Sequence, residues 1–263
     1  IGAGRSTAYQ ITVLGRLLCD IDIDKYIEIE PDKRYGMSGY NFDLIKNFPG
    51  NVFSINELTK LEDATNKYLI RQKSASETIR SKELQRLVIE LSWKSSKIEG
   101  NTYTLLDTEK LILEAKEAPG HSKDEAVMIL NHKTAFDYIV ANKDDYKSLT
   151  IVNLENLHSI LVKDLNVKSG LRNSLVGITG SKYKPLDNIH QIREALEELA
   201  HSMARMNNPY TKALSALLIV SYIQPFEDGN KRTGRLIANA ILLAHGCAPL
   251  SYRSVDEATY RAA

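Results

Sequence analysis

The apolar runs at 213–223 (ALSALLIVSYI) and 236–244 (LIANAILLA) bracket a polar corner, Gln224-Pro225-Phe226-Glu227-Asp228-Gly229-Asn230-Lys231-Arg232-Thr233-Gly234-Arg235. Runs of that length and continuity predict helices buried on most sides, and Pro225 with Gly229 breaks the helical pattern between them. A helix–loop–helix corner follows. It carries Asp228, Asn230, Lys231, Arg232 and Arg235 between apolar walls, where charged groups need partners and a bound ligand is one source of them.

The corner suits phosphate. Gly229 admits a positive φ and a close approach of the backbone to a ligand. Asn230 and Lys231 stand where the next helix begins, and its unpaired N–H groups and positive dipole end favour an anion. Arg232 and Arg235 are neighbours on that helix, spaced to clamp a polyphosphate. Asp228 is placed to hold a divalent metal on the same phosphates. The plainer alternative for such a cluster is a solvated corner with ordinary ion pairs.

Two other stretches stand out. A helix is expected over 76–98, with Leu84, Leu87, Val88 and Leu91 on one stripe, and the same stripe reaches Ser95 and Glu99. Glu99 falls near the C-terminal end of that helix, where the dipole disfavours a carboxylate unless it is exposed or meets a cation. Arg235 is the candidate cation, and Gly100 is the natural helix stop. In 170–185 (GLRNSLVGITGSKYKP), strand-like runs at 175–178 and 181–183 flank Thr179-Gly180 and predict a small β-hairpin.

Together these strings resemble the Fic family. Residues 224–235 are similar to its signature, His-Pro-Phe-x-Asp/Glu-Gly-Asn-x-Arg-x-x-Arg, and depart from it at the first position, where the family has its catalytic histidine and this chain has Gln224. Ser95-Ser96-Lys97-Ile98-Glu99-Gly100 resembles the family's autoinhibitory motif, Ser/Thr-x-x-x-Glu-Gly/Asn, in the class whose inhibitory helix precedes the core. Gly170, Arg172, Val176, Gly180, Ser181, Tyr183 and Pro185 fit the pattern of its flap, and Ser254, Val255 and Tyr260 its C-terminal stretch. The resemblance covers about residues 50–263.

It implies a protein adenylyltransferase, moving AMP from ATP to a Ser, Thr or Tyr hydroxyl of a target protein with Mg²⁺. By position, Asp228 would bind the metal. Gly229 and Asn230, with Lys231 beside them, would hold the α-phosphate region, Arg232 the β-phosphate and Arg235 the γ-phosphate. Glu99, helped by Ser95, would pair with Arg235 in the off state. Val176, Gly180, Ser181 and Tyr183 would align the target peptide by strand addition. Phe226 reads as a core anchor for the loop. The family's histidine would accept the proton of the attacking hydroxyl; the amide oxygen of Gln224 has no useful basicity near neutral pH. None of the six histidines is an evident substitute, His190, His201 and His245 being the nearest in sequence.

Residues 1–48 read differently from the rest. Ile11, Leu14, Leu17 and Leu18 predict a helix, the alternation of Ile21, Ile23, Ile27 and Ile29 with acidic residues over 20–30 predicts a strand, and a turn at 32–36 with a short strand at 38–42 would complete a hairpin. This looks like the second half of a winged helix, whose first half would lie before Ile1. With six Lys/Arg against seven Asp/Glu in residues 1–50, its charge argues for a structural or dimerising role over DNA binding. After a linker at 48–50, helices are expected over 55–70, 76–98, 104–118, 124–142, 151–165 and 189–206. The expected fold is mainly α: a helical bundle with a β-hairpin flap, preceded by a small α+β segment. Its divisions are 1–48, 49–120 with the inhibitory helix, and 121–263 with flap and signature loop.

A net charge of +1 gives no bulk attraction to nucleic acid or membrane, and no apolar run is long enough to span a bilayer. Cys19 and Cys247 form no metal or disulfide pattern, so a reduced cytoplasm is expected. Three functions are open: a scaffold that binds ATP but transfers AMP weakly or not at all; a working transferase using Gln224 only for positioning, or catalysing a different phosphate transfer; and a non-enzymatic interaction or regulatory module, with DNA association as its further form. The first is favoured. A homodimer is an expected partner alongside the nucleotide and the target protein.

Overall fold

The structure, a computed structural model, describes residues 9–12, 15–16, 19–178 and 180–262. Leu14, Leu17 and Leu18 of the expected first helix, and Thr179 of the expected flap turn, lie outside them. Two short helices come first, α1 (Ile23–Glu28) and α2 (Phe42–Lys46). The body is built from α3 (Ile55–Ser74), α4 (Glu77–Ile98), α5 (Leu105–Glu114), α6 (Lys123–Ala141), α7 (Ile151–Leu161), α8 (Ile189–Ala204), α9 (Pro209–Ile223) and α10 (Asn230–Ala244). A last helix, α11 (Glu257–Ala262), lies on α4.

The starts of the body helices are local chemistry. Ser54 and Ser122 form capping boxes with Glu57 and Glu125, each side chain satisfying the other residue's orphan N–H. Ser76, Thr104, Thr150, Asn188 and Asn208 cap α4, α5, α7, α8 and α9 in the same sense. Helix α5 stops at Ala115, which turns left-handed (φ 54°), before the expected Pro-Gly stop.

Helix α10 is the axis of the bundle. Each residue from Leu236 to Leu242 is buried, as an apolar run of that kind requires. It packs most extensively on α9 and also meets α4, α6, α7 and the helical turn at 143–147. One core cluster runs from Ile45 to Cys247, and a smaller one joins Tyr103, Leu111, Ala126 and Ile129. Among the described residues no helix is long and apolar enough to cross a membrane.

Two expectations are corrected, since no strand occurs among the described residues. The isoleucine alternation over 20–30 is not a strand. Asp22 caps α1 by accepting the Lys25 N–H, and Ile21 and Ile23 are exposed rather than gathered on a buried face. Alternation marks a strand only where a neighbouring strand supplies hydrogen bonds and one face is covered. The 38–42 segment is likewise no wing: Asn41 caps α2, and Ile45 is what the segment buries. The flap is not a β-hairpin either. Leu175 is 81% exposed, and the backbone-to-backbone hydrogen bonds among the described residues of 175–185 are a turn, Ser181 N–H to the Ile178 carbonyl (3.0 Å), and a tie, Lys184 N–H to the Ser38 carbonyl (2.8 Å).

The tightest test of this packing is Gly234, where an added Cβ would stand 3.1 Å from the Leu217 carbonyl on α9. Alanine gains about 1 kcal/mol in helix propensity there. Overpacking against helical backbone costs about 1–3 kcal/mol. Gly234→Ala is expected to lose up to about 2 kcal/mol net, and Gly234→Val more, read as a lower midpoint with unchanged slope in urea unfolding.

Candidate functional site

The corner between α9 and α10 is held from inside. Gln224 ends α9 in a left-handed conformation (φ 52°, ψ 59°), a strained choice for a residue with a Cβ. Its side chain is engaged at both ends. Nε2 donates to the Ser221 carbonyl at 2.6 Å, and Oε1 accepts from Asn230 Nδ2 at 2.9 Å. The amide thus ties the end of one helix to the start of the next. Asn230 also brackets Phe226, accepting its N–H and donating to its carbonyl, both at 2.9 Å. From outside, buried Arg172 donates its backbone N–H to the Pro225 carbonyl (3.0 Å), its Nε to the Gln224 carbonyl (2.6 Å) and its Nη1 to the Ser174 carbonyl (2.7 Å).

Phe226 is fully buried and stacks on His158 of α7, rings 3.8 Å apart and nearly parallel. His158 Nε2 lies 3.0 Å from the Asp228 carbonyl. Sequence reasoning passed over this histidine. Its signal was its place among Leu154, Leu157 and Leu161 on the apolar side of α7, where a polar residue needs a partner.

The α10 N-terminus is open. Gly229 precedes it with φ 78° and no side chain caps it, so first-turn N–H groups face the corner unpaired. Two arginines stand on the first two turns of this helix. Arg232, 2% exposed, donates Nη2 to Asp228 Oδ2 at 2.9 Å and leaves Nη1 without a partner. Burial lowers its pKa against the attraction of Asp228. Arg235 is 0% exposed. Its Nε donates to Ser95 Oγ (2.9 Å), and its Nη2 to the Ser95 carbonyl (3.0 Å) and to Glu99 Oε1 (2.6 Å), while Nη1 has no partner. Glu99 sits at the C-cap of α4, where the dipole repels it and the guanidinium draws it in.

A cleft of about 540 Å³ opens beside these groups. Glu99 and Gly100 form one wall, residues 176–178 another, and the corner from Glu227 to Arg232 the floor, with Gln224 at its edge. The volume is in the range that holds a nucleotide-sized ligand. Val176 and Lys231 therefore share the cleft with Gly229, Asn230 and Arg232, whereas the fully buried Arg235 is not part of its lining. Tyr183 does not line it: its ring stacks on Tyr222 (4.7 Å) and its hydroxyl donates to the Tyr222 carbonyl (3.0 Å). Ser181 Oγ accepts the Tyr183 N–H (3.2 Å), and Gly180 likewise lies away from the cleft lining. No group of three or more His, Cys, Asp or Glu among the described residues could hold a metal alone. The single carboxylate of Asp228 fits a metal that completes its shell with phosphate oxygens and water, as Mg²⁺ does.

Residues 148–242 match the family model described as Fic/DOC family. "Protein adenylyltransferase Fic" of Aedes aegypti is 30% identical over 159 residues, covering 58% of this chain and 32% of that protein. The protein of the same name from Drosophila willistoni is 29% identical over 156 residues, covering 58% and 31%. The chain thus spans about a third of the length of these curated relatives. Among solved structures, a Fic family protein from Desulfovibrio desulfuricans G20 has a TM-score of 0.65 at 20% identity, over 80% of this chain and 65% of that one. Fic-1 (residues 134–508) from C. elegans has 0.60 at 19%, over 76% and 60%. At such identities the likeness is one of fold.

Two buried histidines tie this region's stability to pH. Burial first, then the charges of Arg235 and Arg232, lowers His132 to about 3. Burial lowers His158 to about 4, against its bond to the Asp228 carbonyl. In the unfolded chain both titrate near their ordinary value of about 6.5. Above that pH neither state binds the protons and stability is level. As pH falls below it the unfolded chain takes them up first, so stability drops, down to the folded values. The expected slope is up to about 1.4 kcal/mol per pH unit for each histidine. Urea unfolding at pH 7, 6 and 5 measures it, and His132→Leu is expected to remove about half of the slope between pH 6 and 5.

Proposed function

We propose that this chain, whose residues 148–242 match the Fic/DOC family model, is a Fic-family protein that binds Mg-ATP in the 540 Å³ cleft as a protein adenylyltransferase scaffold, restrained by Glu99 and weak in transfer because Gln224 stands at the base position. The observation that carries this reading is the buried Arg235, whose guanidinium is held by Ser95 and Glu99 across the bundle. A polyphosphate laid on the α10 N-terminus would meet first-turn N–H groups, then Arg232 and Arg235 on the same helix face. With Glu99 on Arg235, the terminal phosphate loses its cation and faces a carboxylate instead. Asp228 would carry Mg²⁺, which neutralises charge on the phosphate oxygens when bound. To do so it must share or give up its bond to Arg232, which would then be free for phosphate.

In AMP transfer the target's hydroxyl oxygen bonds to the α-phosphorus, the bond to the β-phosphate oxygen breaks, and pyrophosphate leaves. The hydroxyl proton needs an acceptor. Gln224 does not supply one: its oxygen is an amide acceptor already taken by Asn230. Its present service is structural, joining α9 to α10. Phosphoryl-type transfer depends mostly on positioning and charge, so a residual rate is expected.

The test is self-modification with labelled ATP. Gln224→His combined with Glu99→Gly is expected to exceed Glu99→Gly alone by about 10²–10⁴, the worth of a general base. A double variant that is folded and binds Mg-ATP yet transfers no more than Glu99→Gly would overturn the account of Gln224.

A further inference from the structure

Beyond the corner, the helix carrying Glu99 is fastened at a second place. Residues 250–260 leave α10 and return across α4. The departure is pinned by Asn239, whose Nδ2 donates to the Leu250 carbonyl (3.0 Å) and whose Oδ1 accepts the Leu250 N–H (2.7 Å). Arg253 Nη1 then donates to Glu90 Oε1 at 2.5 Å. Asp256 caps the last helix by accepting the Thr259 N–H at 2.8 Å. Glu257 Oε1 accepts from Lys94 Nζ at 2.5 Å, with Lys97 Nζ at 3.8 Å. Finally the Tyr260 ring lies 5.6 Å from the guanidinium carbon of Arg235.

Lys94 gives this strap its force. Its side chain is only 6% exposed, so its ammonium has lost most of its water and depends on Glu257. Lysine pulls the Glu257 carboxyl below its ordinary range in return. Glu90, Lys94 and Lys97 follow one another at helical spacing, so they mark one face of α4. Ser95 and Glu99 lie on the adjoining face, toward Arg235. The two adjoining faces are gripped separately, one by Glu257 and Arg253 of the strap and one by Arg235. A turn or tilt of α4 that withdraws Glu99 from Arg235 must therefore also break Lys94 from Glu257.

We propose that Lys94 and Glu257 are positioning residues for Glu99: the 250–260 strap fixes α4 in the register at which Glu99 holds Arg235, and loosening the strap opens the terminal-phosphate position. This deepens the reading of the corner as a nucleotide site restrained by Glu99, and rests on it. Glu257→Lys sets a third ammonium against Lys94 and Lys97 and detaches the strap. The prediction is a rise in ATP affinity of about five- to tenfold, the lower part of the usual range for coupled sites. In a Glu99→Gly background the same substitution is expected to add no further rise, since there is no carboxylate left to position.

Calorimetric titration of the full chain with Mg-ATP reads all four corners of this cycle. No rise from Glu257→Lys, while Glu99→Gly raises affinity, would overturn the strap and leave the nucleotide reading standing. An equal rise in both backgrounds would also overturn it. No change from Glu99→Gly itself would instead remove the inhibitory pairing, and the strap's role with it. Should Glu257→Lys fail to fold, Arg253→Ala at the exposed end of the strap takes its place. A smaller rise confined to chains with Glu99 supports the proposal, and none overturns it. Lys94→Glu combined with Glu257→Lys reverses the pair and is expected to return affinity to the wild-type value.

Discussion

A guanidinium with no exposed surface is the constraint on which the rest of the structure depends. Arg235 sits in the middle of the bundle on its central helix, where an unpaired charge is strongly destabilising. Its partners do not come from its own helix: the residues that follow it are apolar, and Asp228 before it is bonded to Arg232. They come from α4, through Ser95 and Glu99, and that fixes how α4 lies across α10. It also explains why an apolar stripe on α4 ends in a hydroxyl and a carboxylate. The same charge reaches further: with Arg232 it helps keep His132 neutral, and Tyr260 covers its other side.

The corner below the arginines is a second, separate solution to buried polarity. Its backbone groups are consumed by Asn230, Arg172 and His158, leaving the first turn of α10 open. Gln224 belongs to this internal scaffold. Its amide keeps two hydrogen bonds and the left-handed turn. What an amide lacks is basicity, so the loop's shape and its capacity to move a proton are separable at this one position.

Much of this was legible in the sequence, for physical reasons. The helices of the body are announced by Ser, Thr and Asn caps before apolar periodicity, both local signals. Glu99 and Arg235 were legible from their places: a carboxylate at the wrong end of a helix, and an arginine at the threshold of an apolar run, spaced from Arg232 as on one helix. The isoleucines of 20–30 misled because alternation is a pattern of side chains, whereas a strand needs a neighbour. Residues 175–178 and 181–183 misled in the same way, with short β-prone runs and no strand paired to them among the described residues. His158, His132 and Lys94 escaped notice because what makes them consequential lies far away in sequence: Asp228, the two arginines and Glu257. No local window holds those pairs.

If Glu99 occupies the position meant for a terminal phosphate, its effect must depend on whether the nucleotide has one. The decisive measurement is the ratio of ATP to ADP affinity, by calorimetry with Mg²⁺, in the wild type and in Glu99→Gly. The account predicts nearly equal affinities for the two nucleotides in the wild type. In the variant it predicts a preference for ATP of about tenfold or more, within the range of charge-assisted contacts, with ADP little changed. Equal gains for both nucleotides, or an ATP preference already full in the wild type, would contradict it.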